Sequence, residues 1–149
     1  MLWIDGDGCP KEVKDIIYRA ATRRQQGVTL VVNRFQHIPK SQYIKMAVVD
    51  AGPDKADNYI LEFVQSGDLV VTADIPFAAS VLNLGGVVIT PHGETLDSEN
   101  IGERLAMRNF FENLRSEGQH SGGGGSFNAK HKHLFAAALD RTISRLLKK

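Results

Sequence analysis

Five short runs of almost wholly apolar, largely β-branched residues punctuate the chain: MLWID at 1–5, VTLVV at 28–32, MAVV at 46–49, LVVT at 69–72 and VVIT at 87–90. Such runs lack the in–out alternation of a half-solvated sheet, so both faces of each strand must be covered. Between them, apolar residues recur at helical spacing. Val13, Ile16, Ile17, Ala20 and Ala21 mark one face over 10–25, with Pro10 suited to the first turn and Gly27 as a stop. Ile60, Leu61 and Val64 do the same over 54–66, a short helix fits 76–84, and Ile101, Leu105 and Leu114 mark a helix that Asp97 or Ser98 caps. Residues 35–45 are ambiguous, since Pro39 breaks any helix there. Strands that alternate with helices predict βαβ units. The expected fold is a three-layer α/β/α sandwich around a mostly parallel sheet of about five strands.

A length of 149 residues suits one domain spanning 1–149, with a core able to fold unaided. A single cysteine excludes an internal disulfide framework. No apolar stretch approaches a bilayer span, and MLWIDGDG carries neither a basic leader nor a long apolar one, so the expectation is a cytoplasmic protein without a membrane partner. Residues 116–129, SEGQHSGGGGSFNA, read as a flexible glycine-rich loop. Residues 130–149 then read as a basic amphipathic helix, with Phe135, Ala138, Leu139, Thr142 and Leu146 on the side that docks on the domain. The formal net charge of +1 is a cancellation, because 130–149 holds 6 basic and 1 acidic residues while 1–129 holds 12 basic and 16 acidic.

In open α/β sheets, ligands bind outside the carboxyl ends of the strands. That rule sorts the acids. Asp5 and Asp7 end the first strand, Asp50 ends the third with Asp54 and Asp57 just after it, and Asp74 follows the fourth. Asp68 falls at the opposite end, and Asp15 and Glu62 lie within helices. An extended backbone points Asp5 and Asp7 to one side, with Gly6 and Gly8 leaving room for a ligand, and a helix puts Asp54 and Asp57 on one face. Converging carboxylates repel one another, and a proton or a cation relieves them. An oxygen-only set suits Mg²⁺ or Mn²⁺ and points to metal-assisted phosphodiester hydrolysis, with Asp5, Asp7, Asp54, Asp57 and Asp74 as ligands and catalytic groups. Each acid also has a structural reading. Asp54 and Asp57 form an acidic capping box, Asp74 suits an N-cap before Ile75-Pro76, and Asp-Gly is ordinary turn chemistry.

DGDGCP at 5–10, GPDKADNYI at 52–60, GDLVVTADIPFAA at 67–79, NIGERLAMR at 100–108 and FAAALD at 135–140 run in one order along nearly the whole chain. Together they resemble the YaiI/YqxD family of bacterial proteins. The resemblance implies a PIN-like or NYN-like nuclease domain with an acidic, divalent-metal-binding cleft. It matches Asp5 and Asp7 to the N-terminal acidic motif, Asp54 and Asp57 to a central D-x-x-D motif, and Asp74, with Thr72 before it, to a later one. Two segments depart from the family pattern. GGGGSF at 122–127 stands where prolines are usual, and Lys130-His131-Lys132-His133 replaces an acidic–basic pair.

Among other residues, Lys11, Arg34 and His92 lie at the same edge and are candidate substrate-binding groups beside Thr72, with Lys14 near them. Arg19, Arg23 and Arg24, together with the basic C-terminal helix, offer either a nucleic-acid track or two solvated faces. Cys9 reads as buried and inert, Trp3 as core, and His131 and His133, two apart on a helix, as a poor metal pair. No aromatic platform for stacking bases is visible. Three functions fit: a Mg²⁺- or Mn²⁺-dependent nuclease acting on RNA or single-stranded nucleic acid, a non-catalytic module that binds RNA or protein, and a phosphatase of the haloacid-dehalogenase kind. For the last, Asp5-Gly-Asp7 fits the first motif, but Cys9 holds the place of a Thr or Val.

Overall fold

A computed structural model describes residues 1–116 and 127–147. Six strands form one sheet: β1 (Leu2–Asp5), β2 (Val28–Val32), β3 (Ile44–Val48), β4 (Leu69–Val71), β5 (Val87–Ile89) and β6 (Thr95–Leu96). Their order is β3-β2-β1-β4-β5-β6, parallel throughout except for β6, which runs antiparallel to β5. The helices are α1 (Lys11–Arg24), α2 (Lys55–Phe63), α3 (Ile75–Asn83), α4 (Ile101–Ser116) and α5 (Ala129–Leu147).

Four of the five apolar runs are explained by a core on each face of the sheet; MAVV is not, because β3 is the edge strand and Val48 is 56% exposed. Side chains of a strand alternate between faces. Leu2 and Ile4 of β1, Val28, Leu30 and Val32 of β2, and Leu69 and Val71 of β4 pack with α1 and α5. Trp3, Val31, Val70 and Val88 face the other way, toward α2, α3 and α4. The docking face expected of the C-terminal helix is buried at Phe135, Ala138, Leu139 and Thr142, with Ile143 added and Leu146 half-buried. Arg24 of α1 pairs with Asp140 and donates to Ser144 Oγ at 2.9 Å, joining α1 to α5.

Several boundaries differ from expectation. The sheet has six strands, because β6 is only two residues long and too short to leave a periodic signal. β3 begins two residues earlier, at Ile44. α1 ends at Arg24, with Gln25 in the left-handed conformation (φ 54°) closing the helix two residues before Gly27, the expected stop. α4 starts at Ile101 rather than beside Asp97. Asp97 Oδ1 accepts the N–H groups of Glu99 and Asn100, while Asn100 Oδ1 accepts that of Asp97, so the two residues build a turn ahead of the helix. α4 includes Ser116 and α5 includes Ala129, so the glycine-rich loop expected at 116–129 is shorter at both ends. Its residues 117–126 lie outside the described residues, as do 148 and 149.

The strand order carries the functional consequence. The chain runs outward from β1 to β2 and β3, then crosses back through α2 to β4 on the other side of β1. The reversal lies between β1 and β4, and the crevice at their carboxyl ends is where doubly wound sheets hold ligands.

β1 leads into a 3₁₀ turn, Gly6–Gly8, packed against β2. A Cβ on Gly6 meets Leu30 Cδ1 at 2.5 Å and Val32 Cγ1 at 2.6 Å, whereas one on Gly8 meets nothing within 4 Å. Gly6 is therefore required by close approach to β2, and Gly8 is not. Gly6→Ala should cost about 1–3 kcal/mol of stability through overpacking, while Gly8→Ala leaves the urea midpoint within error of wild type. Equal midpoints for the two variants would show that β2 yields freely at this point.

Candidate acidic site at the sheet switch point

Asp5 ends β1 half-buried. Thr72, directly after β4 and only 2% exposed, donates its hydroxyl to Asp5 Oδ2 at 3.2 Å and accepts the Asp74 N–H at 3.1 Å. One hydroxyl thus ties the ends of the two central strands together. It is engaged within the protein, at a residue expected among the substrate-binding groups. Asp74 caps α3, accepting the Phe77 N–H on Oδ1 at 3.1 Å. Asp57 lies in the first turn of α2, a helix packed over β1 and β2 and against α3.

These carboxylates act on one another. The acid form of Asp57 hydrogen-bonds to Asp74, and its pKa rises to about 7, first because burial penalises the charge and then through repulsion from Asp5, Asp74 and Asp54. Asp5 is likewise raised by burial. The Thr72 hydrogen bond opposes that rise, and Asp74 and Asp7 add repulsion. Three acids, Asp5 of β1, Asp54 at the start of α2 and Asp74 at the β4–α3 junction, therefore sit within electrostatic reach of Asp57, at the topological switch.

Asp54 occupies the N-cap position of α2 but makes no side-chain cap hydrogen bond, so the capping-box reading does not hold. It is exposed and left-handed, with φ 64°. Aspartate visits that region more readily than most residues, and always at some cost. Asp7 does not lie on an extended strand beside Asp5. It is in the 3₁₀ turn, and its Oδ2 accepts the Asn33 N–H at 2.9 Å, binding the turn to the end of β2. Asp50 is exposed after β3, the edge strand two places from β1.

A cleft of about 330 Å³ opens beside the acids, lined by Asp54, Asp57, Asn58, Asp74, Ser80 and Arg108 among others. Arg108 was not singled out from the sequence, although it closes the NIGERLAMR segment. Only the packing of α4 on α3 brings it to the carboxylates. The remaining candidates are placed as follows. Lys11 and Arg34 are exposed at the carboxyl edge. His92 is exposed too, but its ring packs edge-on against His131 (4.4 Å between centroids) and Phe127 (6.0 Å) at the start of α5. His131 therefore faces His92 and not His133. Cys9 is buried and its thiol is pushed up to about 12, chiefly by burial, as an inert cysteine should be. Asp68, at the far end, accepts from Trp3 Nε1, the Gln65 N–H and the N-terminal ammonium.

The donor set is oxygen-only and crowded, which suits a hard divalent cation. Among the described residues, however, no three His, Cys, Asp or Glu side chains are grouped closely enough to hold an ion as they stand. A bound ion therefore needs side-chain rearrangement around Asp5, Asp57 and Asp74. No helix among the described residues is long and apolar enough to cross a membrane.

A family model described as "Uncharacterized BCR, YaiI/YqxD family" matches residues 3–145. Among curated proteins, a UPF0178 protein of Saccharophagus degradans is 50% identical over 147 residues, covering 99% of this chain and 97% of the relative. One of Dechloromonas aromatica is 47% identical over 145 residues, covering 97% of each chain. One of Legionella pneumophila is 44% identical over 144 residues, again covering 97% of each. No solved structure matches the chain significantly.

The raised Asp57 pKa has a sign that can be tested. In metal-free buffer the folded state holds this proton up to about pH 7, while the unfolded state releases it near 3.8. Folding therefore binds the proton more tightly, and stability falls as pH rises from about 4 through 7. Asp57→Asn should remove part of that fall and raise the melting temperature relative to wild type at pH 8 more than at pH 5. Parallel melting profiles for the two proteins across this range would count against a crowded Asp57.

Proposed function

The chain belongs to the YaiI/YqxD family, and on that footing we propose that it is a divalent-metal-dependent hydrolase of phosphodiester bonds in RNA or single-stranded nucleic acid. The names of its relatives carry no activity, so the reading rests on the site. The observation that carries it is the electrostatic crowding of Asp5, Asp57 and Asp74, from three separate elements at the carboxyl ends of β1 and β4, which as they stand are not grouped closely enough to share an ion.

Folding has placed mutually repelling acids at one crevice, Asp5 and Asp57 half-buried and Asp54 and Asp74 exposed. Such an arrangement persists where function requires it. Asp5, Asp57 and Asp74 would hold Mg²⁺ or Mn²⁺, with Asp54 at the rim. The bound ion supplies polarisation of the phosphate and a more acidic attacking water. The rest falls to the chain. Thr72 fixes the Asp5 carboxylate and the Asp74 backbone. Arg108 brings positive charge to the cleft that takes the phosphate.

A second reading, a non-catalytic module that binds RNA or protein, draws support from specific hydrogen bonds. Asp7 and Asp74 each accept a backbone N–H, which is sufficient structural employment for both.

The two readings part in one experiment. Wild type should cleave labelled RNA or single-stranded DNA with Mn²⁺ or Mg²⁺ and not in EDTA. Asp5→Asn and Asp74→Asn should abolish cleavage and also the rise in melting temperature on adding Mn²⁺. Thr72→Val, which loosens Asp5 without removing a ligand, should lose roughly 10–100-fold. Equal turnover by wild type and Asp74→Asn marks a contaminant, and the hydrolase reading then fails.

A further inference from the structure

A second cavity opens at the same edge of the sheet, on the α1 side. It measures about 300 Å³ and is lined by Lys11, Lys14, Asp15, Tyr18, Gln36 and His37. Its walls are the first two turns of α1 and the segment after β2, which reads Asn33-Arg34-Phe35-Gln36-His37. Three of the six lining residues are basic or can become so, and Asp15 is the one acid.

Beside the cavity stands Phe35, 70% exposed, the most exposed large apolar side chain described. Its one described ring contact is the edge of His37, 5.6 Å away at 81°. Arg34, next to it, is also exposed. An aromatic face in water beside flexible cations is the pairing that single-strand binders use, bases stacking on the ring while cations track the backbone.

Two sets of hydrogen bonds fix this surface to the acidic turn. Asn33 N–H donates to Asp7 Oδ2 at 2.9 Å, and Lys14 Nζ donates to Gln36 Oε1 at 2.7 Å and to Gly6 O at 3.5 Å. The loop bearing Phe35 is thereby held against the residues that follow Asp5. Its position relative to the carboxylates is set by the fold and not by loop drift.

We propose that the β2–β3 segment and the start of α1 form a binding station for a single-stranded oligonucleotide, with Phe35 stacked on a base and Lys11 and Arg34 on the flanking phosphates. Lys14, occupied by Gln36 and Gly6, shapes the station. This rests on the hydrolase reading for the position of the scissile phosphate. The loop ambiguity of 35–45 in the sequence hid it. A lone Phe in a polar stretch is indistinguishable from a core anchor until its exposure is known.

Equilibrium binding tests the station without catalysis. Labelled oligo(U) and oligo(dT) are titrated in EDTA and followed by fluorescence anisotropy at low and raised salt. Phe35→Ala should weaken binding roughly 5–100-fold, the loss expected of one stacked base, and Phe35→Trp should retain it. Lys11→Ala should weaken binding and reduce the salt slope by about one. Leu84→Ala, another exposed apolar site (49%) that follows α3, should change nothing. Melting temperatures confirm that each variant folds. Loss in both oligonucleotide arms supports stacking and phosphate contact, whereas wild-type affinity in Phe35→Ala and Lys11→Ala, or no binding by wild type, overturns the station. If those variants bind normally while wild type still cleaves, only the station fails. If they lose binding while no metal supports cleavage, the station stands and the hydrolase reading fails.

Discussion

Burial of β1 on both faces is the constraint from which the rest of the molecule follows. It is the central strand, hydrogen-bonded to β2 on one side and β4 on the other. Leu2 and Ile4 must find one apolar layer and Trp3 another, so helices are needed above and below. A chain that leaves β1 for β2 and returns to β4 creates a crevice at the carboxyl end of β1. Asp5 is the residue that emerges there. The opposite end is closed by Asp68, which gathers the N-terminus, the Trp3 indole and the Gln65 N–H. One end of the central strand is thus stitched shut with satisfied polar groups, and the other presents carboxylates that repel one another. That asymmetry separates structural acids from candidate functional ones more firmly than any single distance.

Much of this was legible in the sequence because burial leaves a periodic trace. The apolar runs at 1–5, 28–32, 69–72 and 87–90 could only be strands covered on both sides, and the helical face of Phe135, Ala138 and Leu139 had to dock. Elements without periodicity were hidden, as the two-residue β6 and the turn built by Asp97 and Asn100 show. At the site, the strand-end rule located Asp5 and Asp74 correctly at the switch, but local geometry defeated it in detail. Asp7 and Asp5 were assigned to one extended face. Gly6 instead turns tightly against Leu30 and Val32, and Asp7 points to the end of β2. Asp57 arrives through a helix that crosses the sheet, and Arg108 through helix-on-helix packing, which no spacing along the chain encodes. Thr72 reads in sequence as one more polar residue in a motif. Only its burial and its two hydrogen bonds show that it joins β1 to β4.

The uneven charge also takes on meaning. Of the acids in residues 1–129, Asp5, Asp54, Asp57 and Asp74 cluster at one crevice, while Lys11, Arg34 and Arg108 lie at the same edge or in the same cleft. Basic residues therefore border the acids, although Asp140 neutralises Arg24 where α5 docks.

The crowding itself then has a direction. Asp74 accepts the Phe77 N–H at the start of α3. The Asp57 pKa is pushed up to about 7, first by burial and then by repulsion from Asp5, Asp74 and Asp54. A proton relieves the repulsion but neutralises only one charge and leaves the acids apart. Under the proposed function, a divalent cation would relieve it by drawing Asp5, Asp57 and Asp74 together, at the cost of displacing that proton and rotating side chains. Metal binding at this site should accordingly release a proton, and its affinity should rise as pH climbs toward 7 and beyond.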